Sequence, residues 1–342
     1  MDFIEFKKQY LKETVKEYPN SRAGKKPIVT VKLVTYNHAN YIKECLDSIL
    51  MQITDFDFEI LIAEDDSYDG TREICIEYAD KYPDKIKLFL NSRKNNIFIE
   101  GKPSGTFNSI YASFSISSKY VSIIEGDDYW TDKYSLQKRI NFLEENEDFV
   151  LCYHNSKVYF QQDECFYKDK LLDEFNSKII ERNNILNYDV ATATLLYRNN
   201  LIDIFEEGMN GILCGDVLLK AKLNYFGKGK LLLNVEDSVY RIHKGGIYSS
   251  SHVSLQYRNS LKARHYLLEY FKQKNWDASP IIENLAKVYF IFFIKNLFLN
   301  REFSFSLLKK SRYYRMQSKI SFLKIHKKNL IKLRNSFRKK LI

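Results

Sequence analysis

The chain has 342 residues, 45% hydrophobic and 28% charged, which suits a globular protein with a sizeable core and excludes a fibrous or disordered one. Its formal charge of +10 sits at the C-terminus: residues 301–342 hold 14 Lys or Arg against Glu302 alone, a net +13, and residues 1–300 sum to −3. The body of the chain is therefore not a basic, nucleic-acid-binding surface. The five cysteines, Cys45, Cys75, Cys152, Cys165 and Cys214, are scattered, which argues against a disulfide framework or a CxxC zinc site and for a reducing cytoplasm.

The N-terminal "MDFIEFKKQYLKETVKEYPN" places apolar residues at helical spacing without the apolar core of a secretory signal, so a helix is expected, followed by the linker "NSRAGKKP" (20–27). "IVTVKLVTYN" then supplies a β-branched strand ended by polar residues, and "ANYIKECLDSILMQ" a helix. "FEILIAEDDSYDGT" repeats the pattern, a buried strand running into an acidic loop, before the helix "REICIEYADKYP" ended by Pro83. "KIKLFLNS" gives a third strand, "TFNSIYASFSI" a helix and "KYVSIIEGDD" a further strand. This alternation predicts an α/β fold, a Rossmann-like, doubly wound, mostly parallel sheet with ligands at the carboxyl ends of its strands.

From residue 131 the pattern changes: a helix in "SLQKRINFLEENED", strand-like "FVLCYHNSKVYF", a polar excursion (161–184), "VATATLLYRN", and a helix containing "GDVLLKAKLNYFG". Residues 231–255 read as strands and loop, and from 256 the chain is helical and increasingly basic. The longest apolar run, "VYFIFFI" (288–294), is far short of the ~20 residues that span a bilayer.

"YVSIIEGDDYWTD" (120–132) sets Glu125, Asp127 and Asp128 at the mouth of a buried strand, where carboxylates are costly unless paired or bound to a cation. Spacing alone leaves two readings open: oxygen ligands for Mg²⁺ or Mn²⁺ beside a phosphate, or caps and first-turn acids of the next helix. A second acidic loop, Glu64-Asp65-Asp66-Ser67-Tyr68-Asp69-Gly70-Thr71, lies at the same predicted edge. Its short acceptors suit ribose hydroxyls and a base edge; capping by Asp69 or Thr71 would leave Asp65 without a reason. No GxGxxG follows a strand and GxxxxGK[ST] is absent, which disfavours dinucleotide binding.

"VTVKLVTYNHANYIKECLDSIL", "FEILIAEDDSYDGTREI" and "YVSIIEGDDYWTDKYSLQKRINFLEEN" together resemble the inverting glycosyltransferases of family 2, which have the GT-A fold. "CGDVLLKAKLNYFGKGKLLLNVEDSVYRIHKGGIYSSS" resembles their acceptor-side half, so the resemblance covers residues 27–255. It implies that Thr35, Tyr36 and Asn37 enclose the base, that Asp65 holds base or ribose, and that Glu125-Gly126-Asp127 is the DxD-type motif with Asp127 on Mg²⁺ or Mn²⁺. It extends to His243 in "YRIHKGG", implying a contact to metal or diphosphate, although a lone histidine is more often structural. Asp216 becomes the catalytic base, a solvated helix acid being the bland reading. Two departures stand out: Glu125 replaces the family's usual Asp, and Gly215-Asp216 replaces a Glu-Asp pair. Trp130 fits either beneath a sugar or in the core.

The resemblance divides the chain into a helix and linker (1–26), a nucleotide-sugar half (27–130), an acceptor and catalytic half (131–255) and a basic helical region (256–342). Its donor would be a nucleotide sugar, UDP-linked by default, and its acceptor a glycan or lipid-linked glycan of surface polysaccharide biosynthesis. The tail "KKSRYYRMQSKISFLKIHKKNLIKLRNSFRKKLI" interleaves Lys and Arg with apolar residues, as an interfacial helix on anionic lipid does, so a cytoplasmic enzyme peripheral to the inner membrane face is expected and nucleic acid is not. Competing readings are a catalytically silent sugar-nucleotide or carbohydrate-binding protein on the same fold, and a nucleotidyltransferase, which the lack of a Gly-rich phosphate loop disfavours.

Overall fold

The computed structural model describes residues 1–18, 26–99, 101–166, 179–200, 212, 215–246, 253–296 and 305–318. The chain forms two compact units, residues 1–250 and 251–342. The first begins with α1 (Phe3–Tyr10), β1 (Lys16–Tyr18), β2 (Val29–Thr35), α2 (Ile42–Leu50), β3 (Phe58–Glu64), α3 (Thr71–Lys81) and β4 (Ile86–Leu90). A short hairpin of β5 (Phe98–Ile99) and β6 (Lys102–Pro103) leads to α4 (Thr106–Ser113), β7 (Tyr120–Glu125) and α5 (Ser135–Glu145). Then come β8 (Phe149–Tyr153), β9 (Ser156–Phe160), β10 (Cys165–Phe166), β11 (Ile179–Ile180), β12 (Leu196–Arg198), α6 (Gly215–Phe226), β13 (Lys228–Leu231) and β14 (Ser238–Ile242).

A nine-stranded sheet runs β1-β4-β3-β2-β7-β12-β8-β13-β11, and a three-stranded sheet runs β10-β9-β14. The expected parallel core is there: β4, β3, β2 and β7 are mutually parallel neighbours. Every residue of β3 is buried because both sheet faces are covered, the reason these strands read as continuous apolar runs. Less legible is β12, inserted antiparallel between β7 and β8. Lys32 of β2 is buried with its ammonium on the Ser109 and Ser113 hydroxyls (3.1 and 3.0 Å), and burial lowers it to about 8 against the pull of Glu125.

The N-terminal helix is shorter than its periodicity predicts. The side chain of Asn95 accepts the Lys12 and Glu13 N–H groups, which turns the chain toward the sheet edge, and β1 pairs antiparallel with β4. Most of the expected linker lies outside the described residues, as does Cys214. Cys45, Cys75 and Cys152 are buried free thiols and Cys165 is an exposed one.

The second unit holds α7 (Val253–Gln273), α8 (Ser279–Lys295) and α9 (Phe305–Ser318). Here the tail is not wholly apart from the fold: Ser311 is buried and donates to the Ala286 carbonyl (2.9 Å), and Tyr314 stacks on Tyr289 at 5.8 Å. Residues 319–342 lie outside the description, and no helix among the described residues is long and apolar enough to cross a membrane.

Candidate active site

In the register of the parallel core, Thr35 lies opposite Glu64 and Val34 opposite Glu125, so the loops after β2, β3 and β7 share one edge. The first two are cross-linked: the Asn37 N–H donates to Ser67 Oγ (2.9 Å) and the Tyr68 N–H to Asn37 Oδ1 (3.2 Å). Asn37 takes φ 54°, the left-handed region that asparagine tolerates. Gly126 is a close approach: a Cβ there would lie 2.5 Å from Thr35 Oγ1 and 2.9 Å from His38 Nδ1.

On the β3 side, Asp65 is buried and accepts from Arg93 Nη1 at 2.9 Å and Asn96 Nδ2 at 3.0 Å. The Arg93 guanidinium also lies over the Tyr36 ring at 3.7 Å. Burial raises the Asp65 carboxyl to about 6, with Arg93 opposing. A buried acceptor, a guanidinium and an aromatic ring thus meet at one place on this edge.

On the β7 side, Asp127 Oδ2 lies 3.1 Å from His243 Nε2 and 3.8 Å from His38 Nε2, and the three groups offer ligand atoms all within 4.8 Å of one another. The outer nitrogens are engaged: His38 Nδ1 is 3.2 Å from Thr35 Oγ1, and His243 Nδ1 accepts from the Gly245 N–H at 3.2 Å. These bonds differ in consequence. A hydroxyl can either donate or accept, and where it accepts from His38 Nδ1–H a lone pair is left on Nε2 for a cation. A backbone N–H can only donate, so His243 as placed carries its proton on Nε2 and donates to Asp127; ligating a cation requires the other tautomer. A carboxylate with imidazole fits Mn²⁺ better than Mg²⁺, which prefers an all-oxygen shell.

The three acids after β7 are not equivalent. Burial opposes ionisation of Asp127, but the His243 hydrogen bond and His38 hold it below the usual carboxylate range. Burial, with Asp127 and Glu125 nearby, pushes Asp128 well up, and Asp128 accepts the Arg241 N–H (2.9 Å). Burial, then Asp127 and Asp216, lift Glu125 to about 7. Arg241 fastens this loop: its Nε donates to the Asp127 carbonyl (2.9 Å) and its other nitrogens reach Gln161 and Glu44. Asp216, in the first turn of α6, pairs with Lys220 at 2.8 Å; burial would raise it, but Lys220 reverses that and keeps it ionised.

The family model for glycosyl transferase family 2 matches residues 30–205. The chain belongs to this family. It is 26% identical to glycosyltransferase GlyA of Streptococcus pneumoniae over 232 residues, 64% of this chain and 31% of that one. Against the putative teichuronic acid biosynthesis glycosyltransferase TuaG of Bacillus subtilis it is 29% identical over 120 residues, 35% of this chain and 43% of that one. The chain thus spans less than half the length of either. In fold it is similar to residues 1–349 of Staphylococcus aureus TarS, crystallised with UDP-GlcNAc: TM-score 0.55, 20% identity, 84% of this chain and 79% of that one.

In this family 2 chain the ends of β2, β3 and β7 and the loops after them bring Thr35, Tyr36, Asn37, Asp65, Glu125, Gly126 and Asp127 to one edge, with His243 arriving just past the end of β14. Thr35 is buried beneath the loop, holding His38. Trp130 is core: it is 1% exposed, its indole N–H donates to the Ala193 carbonyl (2.8 Å), and Arg139 covers its ring. Sequence reasoning missed His38, one residue past the quoted Tyr36-Asn37, and Arg93 and Asn96. The latter two stand in "NSRKNN", a polar cluster at a strand end like the two that were singled out.

Proposed function

We propose that the chain is a metal-dependent glycosyltransferase that moves a sugar from a nucleotide sugar to a glycan or lipid-linked glycan, with inversion, in surface polysaccharide biosynthesis. The observation that carries this reading is the meeting of Asp127, His38 and His243 at the edge that also holds Asp65 and Arg93. Asp127 would hold a divalent ion with His38 in its Nδ1-protonated tautomer, and His243 would join after exchanging tautomers or contact the diphosphate. Such an ion neutralises a departing diphosphate. Tyr36, Arg93 and Asp65 bind the base, with residues 27–130 forming the donor half and residues 131–255 the acceptor half. Asp216 takes the proton of the acceptor hydroxyl as its oxygen bonds to the anomeric carbon and the bond to the diphosphate oxygen breaks. UDP is the first nucleotide to test, a choice supported by the UDP-GlcNAc complex of TarS.

Thermal denaturation with UDP, GDP and their sugar conjugates, with and without Mn²⁺, tests the reading, because a ligand bound only by the folded state raises its stability. A rise with one nucleotide that needs Mn²⁺ is expected. Equal rises without metal would refute metal dependence, and release of pyrophosphate during turnover would identify a nucleotidyltransferase.

Peripheral attachment to the inner face of the cytoplasmic membrane is part of the same proposal. Residues 251–342 carry 21 Lys or Arg against 4 acids, leaving −7 on residues 1–250. On α9, Lys309, Lys310 and Arg312 are exposed beside exposed Tyr313 and Met316, a mixture that suits anionic lipid. A chain truncated after Ser318 loses nine further basic residues yet keeps the packed α9. It should denature at the wild-type temperature and, with only the basic residues of α9 left, sediment much more weakly with anionic vesicles at low salt. Equal sedimentation of both chains would reject this role for the tail.

A further inference from the structure

The turn after β4 has two faces, and its geometry dictates them. Residues Arg93–Asn95 form a 3₁₀ turn, in which side chains three apart eclipse. Arg93 and Asn96 therefore share one side, and both reach Asp65. Ser92 and Asn95 share the other, and both reach the N-terminal segment. Asn95 is 1% exposed; its Oδ1 accepts the Lys12 and Glu13 N–H groups at 2.7 Å each, and its Nδ2 donates to the Glu13 carbonyl at 2.8 Å. The Ser92 hydroxyl donates to the Glu13 carboxylate at 2.6 Å.

The segment that grips Asn95 is itself fixed on both sides of the grip. Before it, Phe6 of α1 is fully buried and stacks on Phe107 of α4 at 5.4 Å. After it, β1 pairs with β4, Lys16 opposite Leu90. A buried amide with three main-chain partners holds its backbone far more rigidly than the exposed Lys94–Glu13 ion pair beside it. What depends on this is Arg93, whose flexible side chain must reach Asp65 at 2.9 Å and Tyr36 at 3.7 Å together.

We propose that residues 1–18 are a brace for the nucleoside pocket, and that Asn95 is the positioning residue through which they set Arg93 and Asn96 against Asp65. The inference rests on the assignment of that pocket to the donor base. It gives the N-terminal segment, which lies outside the family match at 30–205, a part in donor recognition.

The test is a double-mutant cycle on the full chain, with UDP and GDP as probes and affinity read by calorimetry in saturating Mn²⁺. Asn95→Ala should weaken binding of the preferred nucleotide about 10-fold, the scale of a sub-ångström to ångström misplacement of a binding group. Mn²⁺ affinity in the absence of nucleotide should stay at the wild-type value, since His38, Asp127 and His243 are untouched. Arg93→Ala should cost at least as much, and the double variant should lose less than the sum of the two single losses, because Asn95 acts mainly through Arg93. Additive losses, or an Asn95→Ala protein that melts lower yet binds nucleotide normally, would overturn the brace. If Asn95→Ala does not fold, Asn95→Asp, which keeps the acceptor for the Lys12 and Glu13 N–H groups but loses the donor to the Glu13 carbonyl, replaces it in the same cycle and is judged by the same additivity. Wild-type protein that binds neither nucleotide would refute the pocket assignment itself. Binding weakened by Arg93→Ala but by no Asn95 variant would refute only the brace.

Discussion

Asp127→Asn should retain the fold and lose Mn²⁺-dependent donor binding, with Mn²⁺ affinity reduced at least ~10²-fold, beyond the range typical of outer-shell changes. Retention of the fold follows from how the loop is held. Arg241 grips the Asp127 carbonyl and the Asp128 carboxylate rather than the Asp127 side chain, and Gly126 N–H bonds the Val34 carbonyl. Loss of binding follows from charge: Asp127 is the acid of the cluster whose imidazole neighbours favour the ionised form, whereas burial pushes Glu125 and Asp128 toward the protonated form. An amide offers a cation one neutral oxygen and removes the pull on both imidazoles. Calorimetry with Mn²⁺ and nucleoside diphosphate, beside a thermal melt, decides it. A folded variant binding both like wild type would show that the metal assignment is wrong.

Asp216→Asn should act on turnover alone, lowering it at least ~10²-fold, the lower end for a positioned acid or base. Lys220 holds the Asp216 carboxylate below its ordinary range, so the group is ionised at neutral pH, the form a base must have, while the same pairing lowers its basicity. Its influence on Glu125 sets it near the acidic loop after β7, and its side chain bonds Lys220. Donor and Mn²⁺ affinities should therefore match wild type. Asp237→Asn is the control: Asp237 contributes its main-chain carbonyl to Thr131 and should tolerate the change. Nearly full activity in Asp216→Asn would remove the assignment, and loss of donor affinity would make Asp216 part of the donor site.

How much of this could be read from the sequence differs by residue. The strands of the parallel core were legible because double burial makes them continuous apolar runs, and their ends were legible because Asp65 and Asp127 interrupt such runs. His38 was not, since a histidine in a loop carries no periodicity, and only the folding of β14 beside the β7 loop brings His243 to the same carboxylate. Arg241 was hidden similarly: within "SVYRIH" it reads as a solvent-facing strand residue, and its partners Glu44 and Gln161 are distant in sequence. At the N-terminus helical spacing misled, because side-chain capture of the Lys12 and Glu13 N–H groups outweighed a weak local preference. The antiparallel entry of β12 is set by pairing on both its sides, which no local pattern records.

The 2.5 Å that a Cβ at position 126 would leave to Thr35 has a bearing on how this chain is to be re-engineered. The acidic loop and the loop after β2 are shaped against each other, so neither is a portable cassette. Grafting a relative's acidic loop onto this scaffold would import a partner surface cut for a different neighbour. A transplant of the acidic loop has to carry residues 35–38 and 125–128 together, along with the strand that delivers His243.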